Sequence, residues 1–173
     1  MKKILVFIPA VFFVLLASGQ KGFAFDVGMG TSKSPMLAAK YYFDKNAASI
    51  GGSYQIFNNA LGEKTNGRIP GTKGIGEGDY FYSIDIGYTR VVTEHFSVSA
   101  ELSFGKRYYY YNASDSSASA GAYHYIHKTK SELGGGALLF YNLNETFGFF
   151  AGYNSLREGT LGLEIRFLKE KQY

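Results

Sequence analysis

The chain has 173 residues, of which 46% are hydrophobic, 17% aromatic and only 18% charged, with 22 glycines, 15 tyrosines, 15 phenylalanines and neither cysteine nor tryptophan. That length suits one domain, and so much glycine and aromatic with so little charge points to an all-β chain rather than a disordered or disulfide-stapled one. The formal charge of +4 includes Lys2 and Lys3; without them 16 basic residues face 14 acidic ones, too even a balance for an electrostatic search for nucleic acid.

Residues 1–19 read as a cleaved signal peptide. Lys2 and Lys3 precede the apolar run 4–17, and small residues follow it, placing the cut after Gly19 or, as a second option, after Ala24. The run is shorter than the ~20 residues that a helical span requires. No cysteine follows "LLASG", so no lipid anchor is expected at the new N-terminus. The body of the protein is then 20–168, with a short charged tail at 169–173.

Alternation dominates the body. Eight extended segments are expected at 23–30, 35–43, 49–57, 79–91, 95–110, 123–141, 146–154 and 157–168. The links "DKNAA", "VTE" and "NLNE" are short and polar, recur about every fifty residues, and each leads into similar text: "NAASIGGSY", "EHFSVSAEL", "NETFGFFAGY". The links between them include two long ones, 58–78 and 111–122. Short turns at one end and long loops at the other describe an up-and-down barrel whose ends face different compartments. Asn66-Gly67 and Pro70-Gly71 mark turns inside the first long loop, giving it a hairpin form that extends the third and fourth segments.

Period-two alternation does not by itself say which face is wet. In the fifth segment Phe96, Val98, Ala100, Leu102 and Phe104 share one parity, and Ser97, Ser99, Glu101, Ser103 and Gly105 share the other. A soluble barrel puts the apolar set inside and a membrane barrel puts it outside. Two features choose the second arrangement. The polar face is mainly glycine and serine, small enough for the crowded lumen of an eight-stranded barrel and unlike a lysine-rich and glutamate-rich solvent surface. Aromatics also form two belts: Phe43, Phe96, Tyr141, Phe147 and Phe167 by the short turns, and Tyr54, Tyr80, Tyr82, Tyr108, Tyr110, Tyr123 and Tyr153 toward the long loops. Membrane interfaces select such belts. The expected fold is an eight-stranded antiparallel up-and-down transmembrane β-barrel.

The last segment contains "TLGLEIRF", in which Thr160, Gly162, Ile165 and Phe167 fit the polar, glycine, hydrophobic, hydrophobic spacing of the final strand of outer-membrane barrels. With its signal peptide and eight segments, the chain resembles the small outer-membrane β-barrel family of the OmpX and opacity-protein type. The resemblance implies the Gram-negative outer membrane as location, lipid as lateral neighbour, and a final strand read by the barrel-assembly machinery through those four residues. One departure is plain: the family usually ends on the aromatic, and here Leu168 and five further residues follow Phe167. A monomer is expected.

Charged residues on the polar face would be enclosed, where they persist only when paired. The expected lumen network comprises Asp26, Lys40, Asp85, Glu101, Glu164 and Arg166, with Asp26 and Arg166 as an ion pair closing the first strand on the last. A three-residue turn at 92–94 would set Asp85 opposite Glu101, a repulsive pairing that calls for Lys40, Arg107 or a shared proton. Gly134, Gly136, Gly148 and Gly152 leave inner space for Phe140 or Phe150.

A porin-like fold of eight strands has an interior just wide enough for side chains, which excludes a wide pore. The long loops then carry function. "RYYYYNASDSSASAGAYHYIH" mixes tyrosine with serine, asparagine and glycine, a combination common in binding surfaces, and suits contact with an extracellular ligand. The alternative is a lipid-modifying barrel enzyme of the lipid A deacylase kind, for which His95, Ser97 and Glu101 superficially offer a His-x-Ser pair with an acid; they fall at the short-turn end, away from the outer leaflet. No catalysis is expected. His124 and His127 differ by an odd number and would point to opposite faces, so no metal site is expected, and no cofactor. "GIGEG" at 74–78 precedes a strand rather than a helix and reads as loop glycine.

Overall fold

A computed structural model describes residues 21–56, 58–65, 67–114 and 121–168. The expected signal peptide, the tail at 169–173 and the serine-rich tip of the second long loop lie outside the described residues. Among the described residues nine strands form: β1 (Lys21–Gly30), β2 (Ser34–Phe43), β3 (Asn46–Tyr54), β4 (Glu63–Thr65), β5 (Lys73–Val91), β6 (Phe96–Ser114), β7 (Ala122–Asn142), β8 (Phe147–Asn154) and β9 (Glu158–Leu168). Eight of them close a ring in the order β7-β6-β5-β3-β2-β1-β9-β8 and back to β7, every pairing antiparallel. The ninth, β4, lies outside the ring and pairs parallel to β7.

The turns explain how the strands find one another. Phe43 pairs with Asn46, so the first short link is the two-residue loop Asp44-Lys45, with Asp44 in the left-handed region at φ 58° that such tight hairpins demand. β3 therefore starts three residues before the expected position and ends at Tyr54. At the next short turn Thr93 Oγ1 accepts the amides of His95 (3.3 Å) and Phe96 (3.0 Å). Five residues, 92–96, thus separate the paired Val91 and Ser97, two more than the expected three.

β5, β6 and β7 run 19, 19 and 21 residues, about twice the length of the other ring strands. A tilted strand needs only ~9–11 residues to cross a bilayer, so this trio rises well above the ring. "GIGEG" is part of β5, not loop, and the second long loop is strand up to Ser114.

Parity sorts the side chains as a membrane barrel requires. Leu161 and Leu133 are 68% exposed on the outside, in company with Val27, Leu37, Ile50 and Ile84, whereas Lys40 and Glu164 inside are 1% and 0% exposed. Lipid is the solvent that makes such an apolar outer wall favourable, and the closed ring leaves no unpaired backbone to face it. The chain is an eight-stranded transmembrane β-barrel. Phe96, Tyr141, Phe147 and Phe167 face outward at the short-turn end, and Tyr54 and Tyr153 do so at the other. Tyr110 and Tyr123, expected in the upper belt, are instead buried beneath the first long loop.

Candidate functional site

The lumen holds two charged clusters separated by an apolar layer. In the lower cluster Lys40 Nζ lies 2.6 Å from Glu164 Oε1 and 3.0 Å from Asp26 Oδ2. Tyr42 donates its hydroxyl to the same Glu164 oxygen at 2.8 Å. Asp26 and Glu164 are direct cross-strand partners, so one ammonium neutralises two facing carboxylates. The expected Asp26–Arg166 pair does not form. Arg166 sits opposite Ala24, 3.5 Å from Glu164 Oε2, and turns its guanidinium to the carbonyls of Asn144 and Phe147 at the short-turn end.

In the upper cluster the register overturns a second expectation: Asp85 faces Ser103, and Glu101 faces Gly87. The longer turn, 92–96, slides β6 by two residues, which preserves the inward parity and moves the two carboxylates apart. Lys40 and Arg107 are engaged elsewhere. The cation that joins Asp85 and Glu101 is Arg157, which enters the lumen from the β8–β9 turn, is fully buried, and bonds Asp85 at 2.5 Å and Glu101 through its other terminal nitrogen. Asn154 adds bonds to Glu101 and Ser103, and Ser83 links Asp85 to Ser53.

Between the clusters lie Met36, Ala38, Leu138, Phe140 and Phe150. Phe140 and Phe150 stack with ring centroids 5.2 Å apart, and Lys40 Nζ sits 3.7 Å above the Phe140 ring, but neither fills the expected space at Gly134, Gly136, Gly148 and Gly152, where Leu156, Asn154, Asn142 and Leu138 are the neighbours. Phe150 occupies the hollow left by Gly28 and Gly162, and Leu156, from the β8–β9 turn, occupies that at Gly105 and Gly134. Bulky side chains and two ion-pair clusters thus fill the bore that a wide channel would need.

Above the ring the first long loop does not extend β3 and β5 as a hairpin. It crosses the tips of β5 and β6 to reach β7. Asn112 accepts from the Leu61 amide at 3.0 Å and donates to the Asn59 carbonyl at 2.9 Å, and His124 Nδ1 lies 3.0 Å from the Leu61 carbonyl. β4 then pairs with Tyr123 to Tyr125. Pro70-Gly71 does make a turn, closed by Thr72 on Ile69, and Tyr123 anchors it by bonding both residues. Beneath this cover Tyr80, Tyr110 and His124 form a ring cluster. Burial raises the pKa of the Tyr110 hydroxyl above its ordinary value, which keeps it neutral.

The opposite face of the raised sheet is open. Tyr111 contacts His127 at 4.2 Å and Tyr125 at 5.7 Å, and Lys128 lies 5.4 Å over Tyr109. His127 and His124 fall on opposite faces, each among tyrosines. At the rim Arg107 bonds Asp79 and, at 3.0 Å, Glu132.

The remaining sequence-derived residues are dispersed. His95 lies 3.3 Å from the Asn142 carbonyl and beside the Tyr141 ring, Ser97 is buried, and Glu101 belongs to Arg157; no hydrogen bond joins the three among the described residues. On β9, Thr160 and Gly162 have inward parity, Ile165 is partly exposed on the outer face, and Phe167 is exposed on it. Arg157 is absent from the expected network because the expected segment 157–168 gives it the parity of the outward Leu161 and Leu163; β9 starts instead at Glu158, and Arg157 turns inward from the preceding turn.

No protein-family model matches the chain, and no curated protein matches it. Several solved barrels are similar in shape. Ail, the attachment invasion locus protein of Yersinia pestis, shares 19% identity over 86% of this chain and 95% of its own, with a TM-score of 0.49. Neisserial surface protein A shares 14% over 86% and 95%, with a TM-score of 0.42. A de novo designed transmembrane β-barrel shares 11% over 86% and 96%, with a TM-score of 0.44. Ail has also been solved in complex with the heparin analogue sucrose octasulfate.

Proposed function

We propose that this protein is an outer-membrane barrel that carries a recognition surface outside the cell and performs no catalysis. The observation that carries the reading is the raised β5-β6-β7 sheet, buttressed on one face by the 58–65 crossing and open on the other, where Tyr109, Tyr111, Tyr125 and His127 are gathered. Rings of this kind supply contact area at small entropic cost, and the buttress holds them in place before any partner arrives. The separate engagements of His95, Ser97 and Glu101 support a role without catalysis. In this reading the barrel works as a monomer with outer-membrane lipid around it, and its last strand meets the assembly machinery through Thr160, Gly162, Ile165 and Phe167.

The test is adhesion of cells displaying the protein to a host-cell or matrix panel. Tyr111→Ala with His127→Ala should reduce adhesion while the folded barrel still migrates faster before boiling than after. Undiminished adhesion with the open face stripped would reject the reading, as would lipid A modification by the purified protein that His95→Ala abolishes.

A further inference from the structure

At the mouth of the barrel a pocket of about 280 Å³ lies between the β1–β2 turn, the start of the 55–72 crossing and the upper part of β5. Thr31, Ser32, Lys33, Gln55, Asn59, Glu77 and Asp79 contribute to its wall, and Tyr110 lies across Gly78 at one side. Thr31, Ser32 and Asn58 spend their side chains on neighbouring protein groups, but other polar groups of the wall are unspent. Among the described residues the side chains of Lys33, Glu77 and Asn59 have no hydrogen-bonding partner, Asp79 uses only Oδ2 toward Arg107, and the buried Gln55 Oε1 has none. Donors and acceptors therefore stand together, with Lys33 against Glu77 and Asp79 in the lining and Arg107 behind Asp79, shared with Glu132.

The pocket continues into the open aromatic face. Cross-strand register puts Glu77 opposite Tyr111 and Tyr111 opposite Tyr125; in the next row Asp79 faces Tyr109. The two carboxylates thus lead directly onto the rings of Tyr109, Tyr111 and Tyr125.

We propose that this mouth pocket binds the end of a neutral glycan, one sugar ring among Lys33, Gln55, Glu77 and Asp79 and the next against Tyr111. A hydroxyl is donor and acceptor at once, so vicinal hydroxyls answer a wall that mixes carboxylate, amide and ammonium, each of which would otherwise lose water without return. The C–H face of a pyranose is matched by the electron-rich face of an aromatic ring. The volume is small for a peptide segment, and with two carboxylates against one ammonium the lining gives a polyanion no advantage. The inference names the ligand class of the recognition surface proposed above and rests on that reading.

The test titrates the purified barrel in detergent or nanodiscs with the methyl glycosides of glucose, galactose and N-acetylglucosamine and with β-linked disaccharides of each. Tyrosine fluorescence, free of tryptophan in this chain, and chemical-shift changes report binding. Saturable millimolar binding of at least one probe is expected, weakened about tenfold by Glu77→Ala, as loss of a charged hydrogen-bond partner predicts. Tyr111→Ala should weaken the disaccharide and spare the monosaccharide, and sucrose octasulfate should not compete. Gln55→Leu gives a second variant whose folding is checked by heat-shifted mobility. No saturable response from folded protein, or binding unchanged in both pocket variants, overturns the inference. Adhesion that needs Tyr111 with no sugar response fails the inference and leaves the recognition reading standing. Sugar binding without adhesion does the reverse.

Discussion

Arg157 Nη1 lies 2.5 Å from Asp85 Oδ2 although 72 positions separate the two residues in the chain. The contact ties the β8–β9 turn to the far wall of the barrel, and the same guanidinium holds Glu101 on the neighbouring strand. A turn, which is otherwise free to fray, thereby becomes a strut across the lumen.

Removing that strut leaves two carboxylates enclosed without a cation. Breaking a buried pair from one side typically costs about 3–5 kcal/mol, so Arg157→Met should lower the unfolding midpoint in urea with lipid vesicles by a corresponding amount. Adding Asp85→Asn and Glu101→Gln to Arg157→Met removes the stranded charges and should recover most of the loss. A single substitution that leaves the midpoint unchanged would contradict the strut.

The lower cluster is asymmetric, and mutation should expose this. Glu164 accepts from Lys40 and Tyr42 and lies beside Arg166, whereas Asp26 meets only Lys40 and faces Glu164 across the strand pair. Asp26→Asn keeps Lys40 paired and relieves a like-charge contact, so its effect on stability should stay within about 1 kcal/mol. Glu164→Gln deprives three groups of their charged acceptor and should cost about 3 kcal/mol or more. Equilibrium unfolding of the two variants side by side decides; equal costs would refute the asymmetry.

The order of these contacts shows what a sequence carries and what it does not. Alternation is local, so the eight ring strands and the inward parity of Asp26, Lys40, Asp85, Glu101, Glu164 and Arg166 could be read directly. Register is set by turn length, and the two extra residues of a turn that runs 92–96, fixed by Thr93 capping, put Asp85 opposite Ser103 rather than Glu101. Charge counting offered a signal that parity did not: the inward set holds four acids against Lys40 and Arg166, a deficit of cations that Arg157 fills. The fate of Tyr110 and Tyr123 was illegible because a loop folded over them from fifty or more positions away.

Steric fit inside the lumen yields a third test. A Cβ at Gly162 would run into the Phe150 ring and the Val27 carbonyl. Gly162→Ala should therefore cost about 1–3 kcal/mol through overpacking. Phe150→Leu in the same chain relieves the ring contact and leaves the carbonyl, so it should restore part of the loss. Strictly additive losses in the double variant would show that Phe150 does not define the hollow.

The orientation of the two faces makes the most decisive demand. Leu163 is 48% exposed on the outer wall and Ser99 is buried inside, bonded to the Tyr88 carbonyl at 3.2 Å. If lipid covers the outer wall, Leu163→Arg places a charge in hydrocarbon and should cost about 2–4 kcal/mol near the bilayer midplane. Ser99→Ala loses one hydrogen bond and should cost about 1 kcal/mol. In detergent-free vesicles the ratio of the two costs follows bilayer depth. In a water-soluble barrel an arginine at an exposed outer position would be harmless, so a negligible effect of Leu163→Arg would invert the fold's solvent and with it every functional statement that depends on the membrane.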